Sequence, residues 1–206
     1  MDKVKKETHI LQNVHFITIL RDPVIRYVSE WQHLTRRIQE GLKGKLFESY
    51  NICNKETSIS TCYKSSESAS LENFMACKSN GAENRETRHL ADYDQSLQNN
   101  CSLFQKQNGQ LLLENAKKVL EGMSFFALTE YEELSQLLFE KTFQNVFRFN
   151  YTITPDKYKI VTLNFVQSLD KSVIDKLNEL NSLDIELYAF AKKLFFKRLK
   201  YFKINF

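Results

Sequence analysis

Residues 15–31 read His15-Phe16-Ile17-Thr18-Ile19-Leu20-Arg21-Asp22-Pro23-Val24-Ile25-Arg26-Tyr27-Val28-Ser29-Glu30-Trp31, and their order predicts a strand that runs straight into a helix. Phe16, Ile17, Ile19 and Leu20 form a near-continuous apolar run with Thr18 inside it. That pattern suits a strand buried on both faces of a parallel sheet. Asp22 followed by Pro23 reads as an N-cap with proline at the first helical position. At about 100° per residue, Val24, Tyr27, Val28, Trp31, Leu34 and Ile38 fall within one arc of roughly 120°. Arg26, Ser29, His33, Arg36 and Arg37 fall on the opposite side, within about 100°. The helix therefore has a core face and a face of donors, whose plain reading is a solvated surface.

Arg21 stands apart because it precedes the helix, beside the free N–H groups of its first turn. A guanidinium gains nothing there from the helix dipole, since both are positive. A bound anion would relieve the conflict, and so would an ion pair with Asp22 or a nearby acid.

Outward from this unit, residues 41–70 are rich in Ser, Thr, Lys and Asn and read as a long surface excursion. Short helices are expected over 71–77 and 83–93, and a longer one over 111–120 that ends at Gly122 as a C′ residue. Residues 123–128 then make a buried strand. Thr129 and Glu132 have the spacing of a capping box for a helix through about Phe143. This second strand-to-helix unit supports a parallel α/β sheet. Residues 146–152 read as a further extended segment, and two helices are expected over 158–180 and 182–201. The basic end at Lys197, Arg198, Lys200 and Lys203 suits a helix C-terminus, with a glycan contact as the lesser option.

At 206 residues the chain is long enough for one sizeable domain, and a hydrophobic content of 42% fits a packed core. A net charge of +4 agrees with an anionic partner without demanding one. No run approaches the length of a membrane-spanning helix, and residues 1–13 lack the apolar stretch of a signal peptide.

Leu20-Arg21-Asp22-Pro23-Val24, Arg26-Tyr27, Ser29-Glu30-Trp31 and His33 together resemble the 3′-phosphate motif of the heparan-sulfate 6-O-sulfotransferases. The resemblance continues through Thr61-Cys62-Tyr63, Phe74-Met75, Cys77, Asn84-Arg85, Arg88, Leu90-Ala91-Asp92 and Cys101. It runs on through Phe125-Phe126, Leu128-Thr129-Glu130, Phe139-Glu140, Thr142-Phe143, Leu180-Asn181, Leu183-Asp184, Leu187-Tyr188 and Ala191-Lys192, so the anchors span about residues 14–200. It implies a P-loop-NTPase-like α/β sulfotransferase fold, a parallel sheet flanked by helices and truncated at its N-terminal side. The implied layout is an upstream remnant over 1–13, a partial sulfotransferase domain over 14–203 containing the 41–70 excursion, and a tail over 204–206.

By the same resemblance, Arg21 and Ser29 would hold the 3′-phosphate of 3′-phosphoadenosine-5′-phosphosulfate (PAPS), the sulfate donor. Phe149 would pack near the adenine, and His33 would touch the sugar chain. The reaction implied is sulfate transfer to the 6-hydroxyl of glucosamine residues in heparan sulfate, with no metal and no nucleic acid. Asn84, Arg85 and Arg88 resemble a polar family cluster that would face glycan or, in the favoured reading, stabilise the fold; Trp31 reads as core. Two positions depart from the family pattern: Glu40 stands where a tryptophan is expected, and Ile153 where an arginine is.

No glycine-rich phosphate loop precedes Val14, and none of the five glycines elsewhere has that arrangement. The family's catalytic histidine also lies upstream of the matching segment, and His9 and His15 do not sit in its motif. No catalytic residue is therefore expected in this chain, and by itself it is expected to be inactive. Two other readings stand beside this one. One is a noncatalytic binder of sulfated glycan. The other is a P-loop nucleotide kinase, but the cysteine–sequon pattern and the tail anchors fit only the sulfotransferase.

Cys53, Cys62, Cys77 and Cys101 all fall at positions resembling family cysteines and allow three pairings. Sequence proximity favours Cys53–Cys62 with Cys77–Cys101. Zinc is the alternative, although spacings of nine, fifteen and twenty-four residues lack the short pairs of a structural zinc site. Disulfides, with the sequons at Asn100 and Asn150, point to the secretory pathway. The resemblance implies a Golgi lumenal enzyme, a type II membrane protein whose anchor would lie upstream.

Overall fold

In the computed structural model, residues 15–40, 70–77, 81–92, 109–144 and 157–206 are described. Strand β1, Ile17–Leu20, leads through Arg21 and Asp22 into helix α1, Pro23–Gln39. Helices α2, Leu71–Ala76, α3, Arg85–Asp92, and α4, Gly109–Gly122, precede strand β2, Phe125–Leu128. A 3-10 turn at Thr129–Tyr131 opens into α5, Glu132–Phe143. Helices α6, Lys157–Gln167, α7, Lys171–Leu180, and α8, Ser182–Tyr201, complete the order.

The two strands pair in parallel, Ile17 against Phe125 through Leu20 against Leu128. Their connection carries α1 to α4, as a parallel pair requires. One face of β2 puts Phe126 and Leu128 into a core with Leu113, Leu120, Leu187 and Phe195, each fully or almost fully buried. Burying a side chain of this size contributes roughly 2–3 kcal/mol. The other face presents Phe125 to Phe139 and Phe143 of α5, with edge-on rings. A second core lies under α1, where Tyr27, Val28 and Leu34 pack with Leu71, Phe74 and Leu177. Trp31 joins it, its ring 5.3 Å from that of Phe165, in keeping with its place on the apolar arc.

Several expectations are corrected. β1 is not buried on both faces: Leu20 is 2% exposed, but Ile17 is 56% and Ile19 67% exposed. These two share a face with Phe125 and Ala127. Among the described residues α5 covers that face over β2, and Ile17 and Ile19 lie beyond its shelter. The capping box does not form, because the 3-10 turn comes first and moves Thr129 three residues ahead of α5. Lys159 Nζ takes the Thr129 carbonyl instead, at 2.6 Å.

Gly122 is the last residue of α4 rather than a left-handed C′ residue. Arg198 supplies the missing cap, donating to the carbonyls of Glu121 and Met123 at 3.0 and 3.1 Å. The helix expected over 158–180 is two helices. The chain tightens at Ser168, whose amide reaches both Asn164 and Phe165 carbonyls. It restarts after Asp170, which has extended backbone at φ −63° and ψ 150°. The extended segment expected over 146–152 lies outside the described residues.

Candidate functional site at the strand-to-helix turn

Asp22 caps α1, its Oδ1 accepting from the amides of Val24 at 3.0 Å and Ile25 at 3.1 Å. The Asp22 amide donates to Glu130 Oε1 at 3.0 Å, and the Arg21 amide donates to Glu86 Oε1 at 3.3 Å. The turn is therefore held by three carboxylates from three parts of the chain. Its amides are satisfied within the protein, so the helix N-terminus does not offer them to an anion as the sequence suggested. What remains is the Arg21 side chain, whose Nη2 is buried and has no hydrogen-bond partner among the described residues.

Ser29 is half-buried on α1, about 9 Å along the axis from Pro23. Both candidate phosphate ligands thus belong to one strand–turn–helix unit. His33 lies exposed one turn beyond Ser29, and its charge acts on Glu30. His15, the other described histidine near β1, is exposed with Nδ1 3.2 Å from Ser124 Oγ. Phe149, Cys53, Cys62, Cys101, Asn100 and Asn150 lie outside the described residues. Cys77 is buried and disulfide-bonded. Among the described residues no cluster of His, Cys, Asp or Glu could hold a metal, and no helix is long and apolar enough to cross a membrane.

Behind the turn sits a polar network that the arcs of α1 do not reveal. Arg26 falls on the face expected to be solvated, yet its side chain is only 12% exposed. It donates to the Ala82 carbonyl at 2.7 Å, Asn181 Oδ1 at 2.9 Å and Asp184 Oδ2 at 3.2 Å, and pairs with Glu30. Asp184 also accepts from the Thr87 amide and hydroxyl, each at 2.7 Å, and from the Glu86 amide at 3.2 Å. Arg85 pairs with Glu30 and donates to the Gly81 carbonyl, which Arg88 also takes. Arg85 and Arg88 thus hydrogen-bond within the fold, and Asn84 Oδ1 accepts from the Leu183 and Asp184 amides.

Burial sets the titration of this region. It pushes the Glu30 carboxyl up against the pull of Arg85 and Arg26. It pushes Glu86 up to about 8, helped by Asp184 and Glu130 and opposed by Arg26 and the Arg21 amide. Tyr188 donates its hydroxyl to Glu130 Oε2 and is pushed up by burial and by that carboxylate. Glu86 and Glu130 were not singled out as site residues from the sequence. Only Glu130's place in the Leu128-Thr129-Glu130 anchor carried any signal for them.

A buried strand end in a parallel pair, a capped helix and an arginine at their junction make this an α/β protein. Comparison with known proteins gives the class: the model of the Sulfotransferase family matches residues 1–191, and the chain belongs to that family. It is 36% identical to heparan-sulfate 6-O-sulfotransferase 1-B of Danio rerio, over 98% of this chain and 48% of that protein. It is 39% identical to heparan-sulfate 6-O-sulfotransferase 1 of Homo sapiens, over 91% of this chain and 44% of that protein. Heparan-sulfate 6-O-sulfotransferase 2 of Gallus gallus is 36% identical over 97% and 49%. The chain spans about half the length of these relatives.

Proposed function

We propose that this chain carries the part of a heparan-sulfate 6-O-sulfotransferase that grips the 3′-phosphate of PAPS, with Arg21 and Ser29 as the gripping residues. The observation that carries this reading is the buried Arg21 Nη2 without a partner among the described residues, in a turn whose amides are already taken. A buried donor left unpaired costs about 1–3 kcal/mol. A phosphate oxygen would satisfy it with a charge-assisted bond. Ser29 adds a hydroxyl on the helix that follows the turn. The donor supplies the sulfuryl group when bound; Arg21 and Ser29 hold and orient it.

The acceptor is heparan sulfate, approached from the exposed side of α1 where His33 lies, with Glu40 as the residue that caps the helix end. Phe149, outside the described residues, is assigned to the adenine side of the donor by the resemblance alone. The base that takes the proton of the acceptor's 6-hydroxyl is assigned to no residue of this chain. The domain segment is 14–203. Cysteines 53, 62, 77 and 101 as two disulfides and glycans at Asn100 and Asn150 go with residence in the Golgi lumen. The anchor belongs to a type II arrangement outside the segment described.

Titration calorimetry with adenosine 3′,5′-bisphosphate, comparing the protein with Arg21→Ala, tests the reading. Loss of one charged contact weakens binding roughly ten- to a hundredfold. Equal affinity for the two would remove Arg21 from the site. Heparin affinity without any nucleotide binding would favour the noncatalytic glycan binder.

A further inference from the structure

We propose that Glu86 is a positioning residue for the donor's phosphate, acting through Arg21 as a neutral carboxyl that loses its grip on the anion when it ionises. The inference rests on the assignment of Arg21 above. Glu86 comes from α3, sixty-five positions from Arg21, and its Oε1 takes the Arg21 amide at 3.3 Å. Its Oε2 is buried and has no hydrogen-bond partner among the described residues. A carboxylate with one oxygen buried and unpaired is far costlier than a neutral carboxylic acid in the same place.

The groups facing Glu86 come from every side. Arg26 on α1 and the Arg21 amide favour its charged form, while Asp184 on α8 and Glu130 on the 3-10 turn disfavour it. Arg26 is already engaged with Asp184 and Glu30, so it is not a dedicated partner for Glu86. Burial wins, and the carboxyl titrates at about 8. Below that pH the turn carrying Arg21 holds no charge at Glu86. Above it, a negative charge appears a hydrogen bond away from the Arg21 backbone and repels an arriving phosphate.

The test is the affinity for adenosine 3′,5′-bisphosphate by calorimetry from pH 7.0 to 9.5, on the protein, Glu86→Gln and Glu86→Ala. The nucleotide's own phosphate titrates near pH 6 and contributes little over this range. A single repelling charge in a partly buried site makes the wild-type affinity fall about tenfold across pH 8. Glu86→Gln, which keeps the acceptor for the Arg21 amide and cannot ionise, retains the pH 7 affinity and loses the alkaline fall. Glu86→Ala, which releases the amide, binds several-fold more weakly at every pH. A Glu86→Gln profile that still falls above pH 8, or a wild-type affinity that is flat to pH 9.5, overturns the proposal; the second readout needs no variant to fold. If Arg21→Ala binds as tightly as wild type, the assignment of Arg21 fails instead, so the two failures are told apart.

Discussion

Arg26 on α1 and Asp184 at the start of α8 stand 158 positions apart and meet at 3.2 Å, with the Asp184 side chain fully buried. Around that contact Asp184 accepts from Thr87 and from the Glu86 amide, so one carboxylate joins α1, α3 and α8. Removing it leaves a buried guanidinium short of an acceptor and strands two amides and a hydroxyl. Asp184→Ala is expected to lose about 3–5 kcal/mol in urea unfolding. Arg26→Met with Asp184→Leu does not rescue it, because the Thr87 and Glu86 donors stay unpaired. Full stability in that double variant would mean the network contributes little.

The ends of this network show how far the sequence could be read. The strand, the Asp22–Pro23 cap and the apolar arc of α1 were legible because each is written in neighbouring residues. So was Trp31 as core. Arg26 was misplaced because helical periodicity sees only one helix. Its burial comes from Ala82, in the middle of the chain, and from Asn181 and Asp184 towards its far end, which fold over the donor face. Arg21 was legible as an anomaly of position. The two glutamates that take the turn's amides were not, since nothing local marks a carboxylate as the partner of an amide 65 or 108 positions away.

Glu86 also gives stability a pH dependence. Unfolded, its carboxyl titrates near 4.5; folded, at about 8. Between those values the native state holds a proton that the unfolded chain releases, so raising the pH favours unfolding. The stabilising contribution is fully present below pH 4.5 and lost as the pH rises through about 8. Within that window each bound proton changes stability by up to about 1.4 kcal/mol per pH unit. Glu30 and Glu83 are raised by burial too and act with the same sign. Urea midpoints between pH 5 and 8 are therefore expected to fall with pH in the wild type and less steeply in Glu86→Gln, by about one proton. Identical slopes would contradict a neutral native Glu86.

The unequal faces of β1 set up a contrast between two apolar residues. Phe126 opposes Thr18 in the register and is fully buried, whereas Ile19 is two-thirds exposed. Phe126 also lies against Phe195, and the Arg198 guanidinium stacks over its ring at 4.9 Å. Phe126→Ala is expected to cost about 3–5 kcal/mol. Ile19→Thr, which keeps a β-branched residue in the strand, is expected to stay within about 0.5 kcal/mol. Thermal unfolding of the two variants side by side checks the pair, and a large loss for Ile19→Thr would mean that face is covered.

Asn84 has two functions that separate on substitution. Its backbone is left-handed at φ 45°, a conformation asparagine tolerates and alanine resists. Its Oδ1 accepts from the Leu183 amide at 2.9 Å and the Asp184 amide at 3.2 Å. Asn181, at the N-cap position of α8, makes no side-chain capping bond, so Asn84 caps that helix from across the fold. Asn84→Gly keeps the backbone and loses the cap, for about 0.5–2 kcal/mol. Asn84→Ala loses both and is expected to be a further 1–2 kcal/mol worse. Asn84→Asp keeps the acceptor and favours the positive helix end. The expected stability order is therefore wild type and Asn84→Asp first, then Asn84→Gly, then Asn84→Ala. Chemical denaturation with all three variants reads it directly. If glycine proved no better than alanine, the left-handed backbone would not be a constraint on this turn.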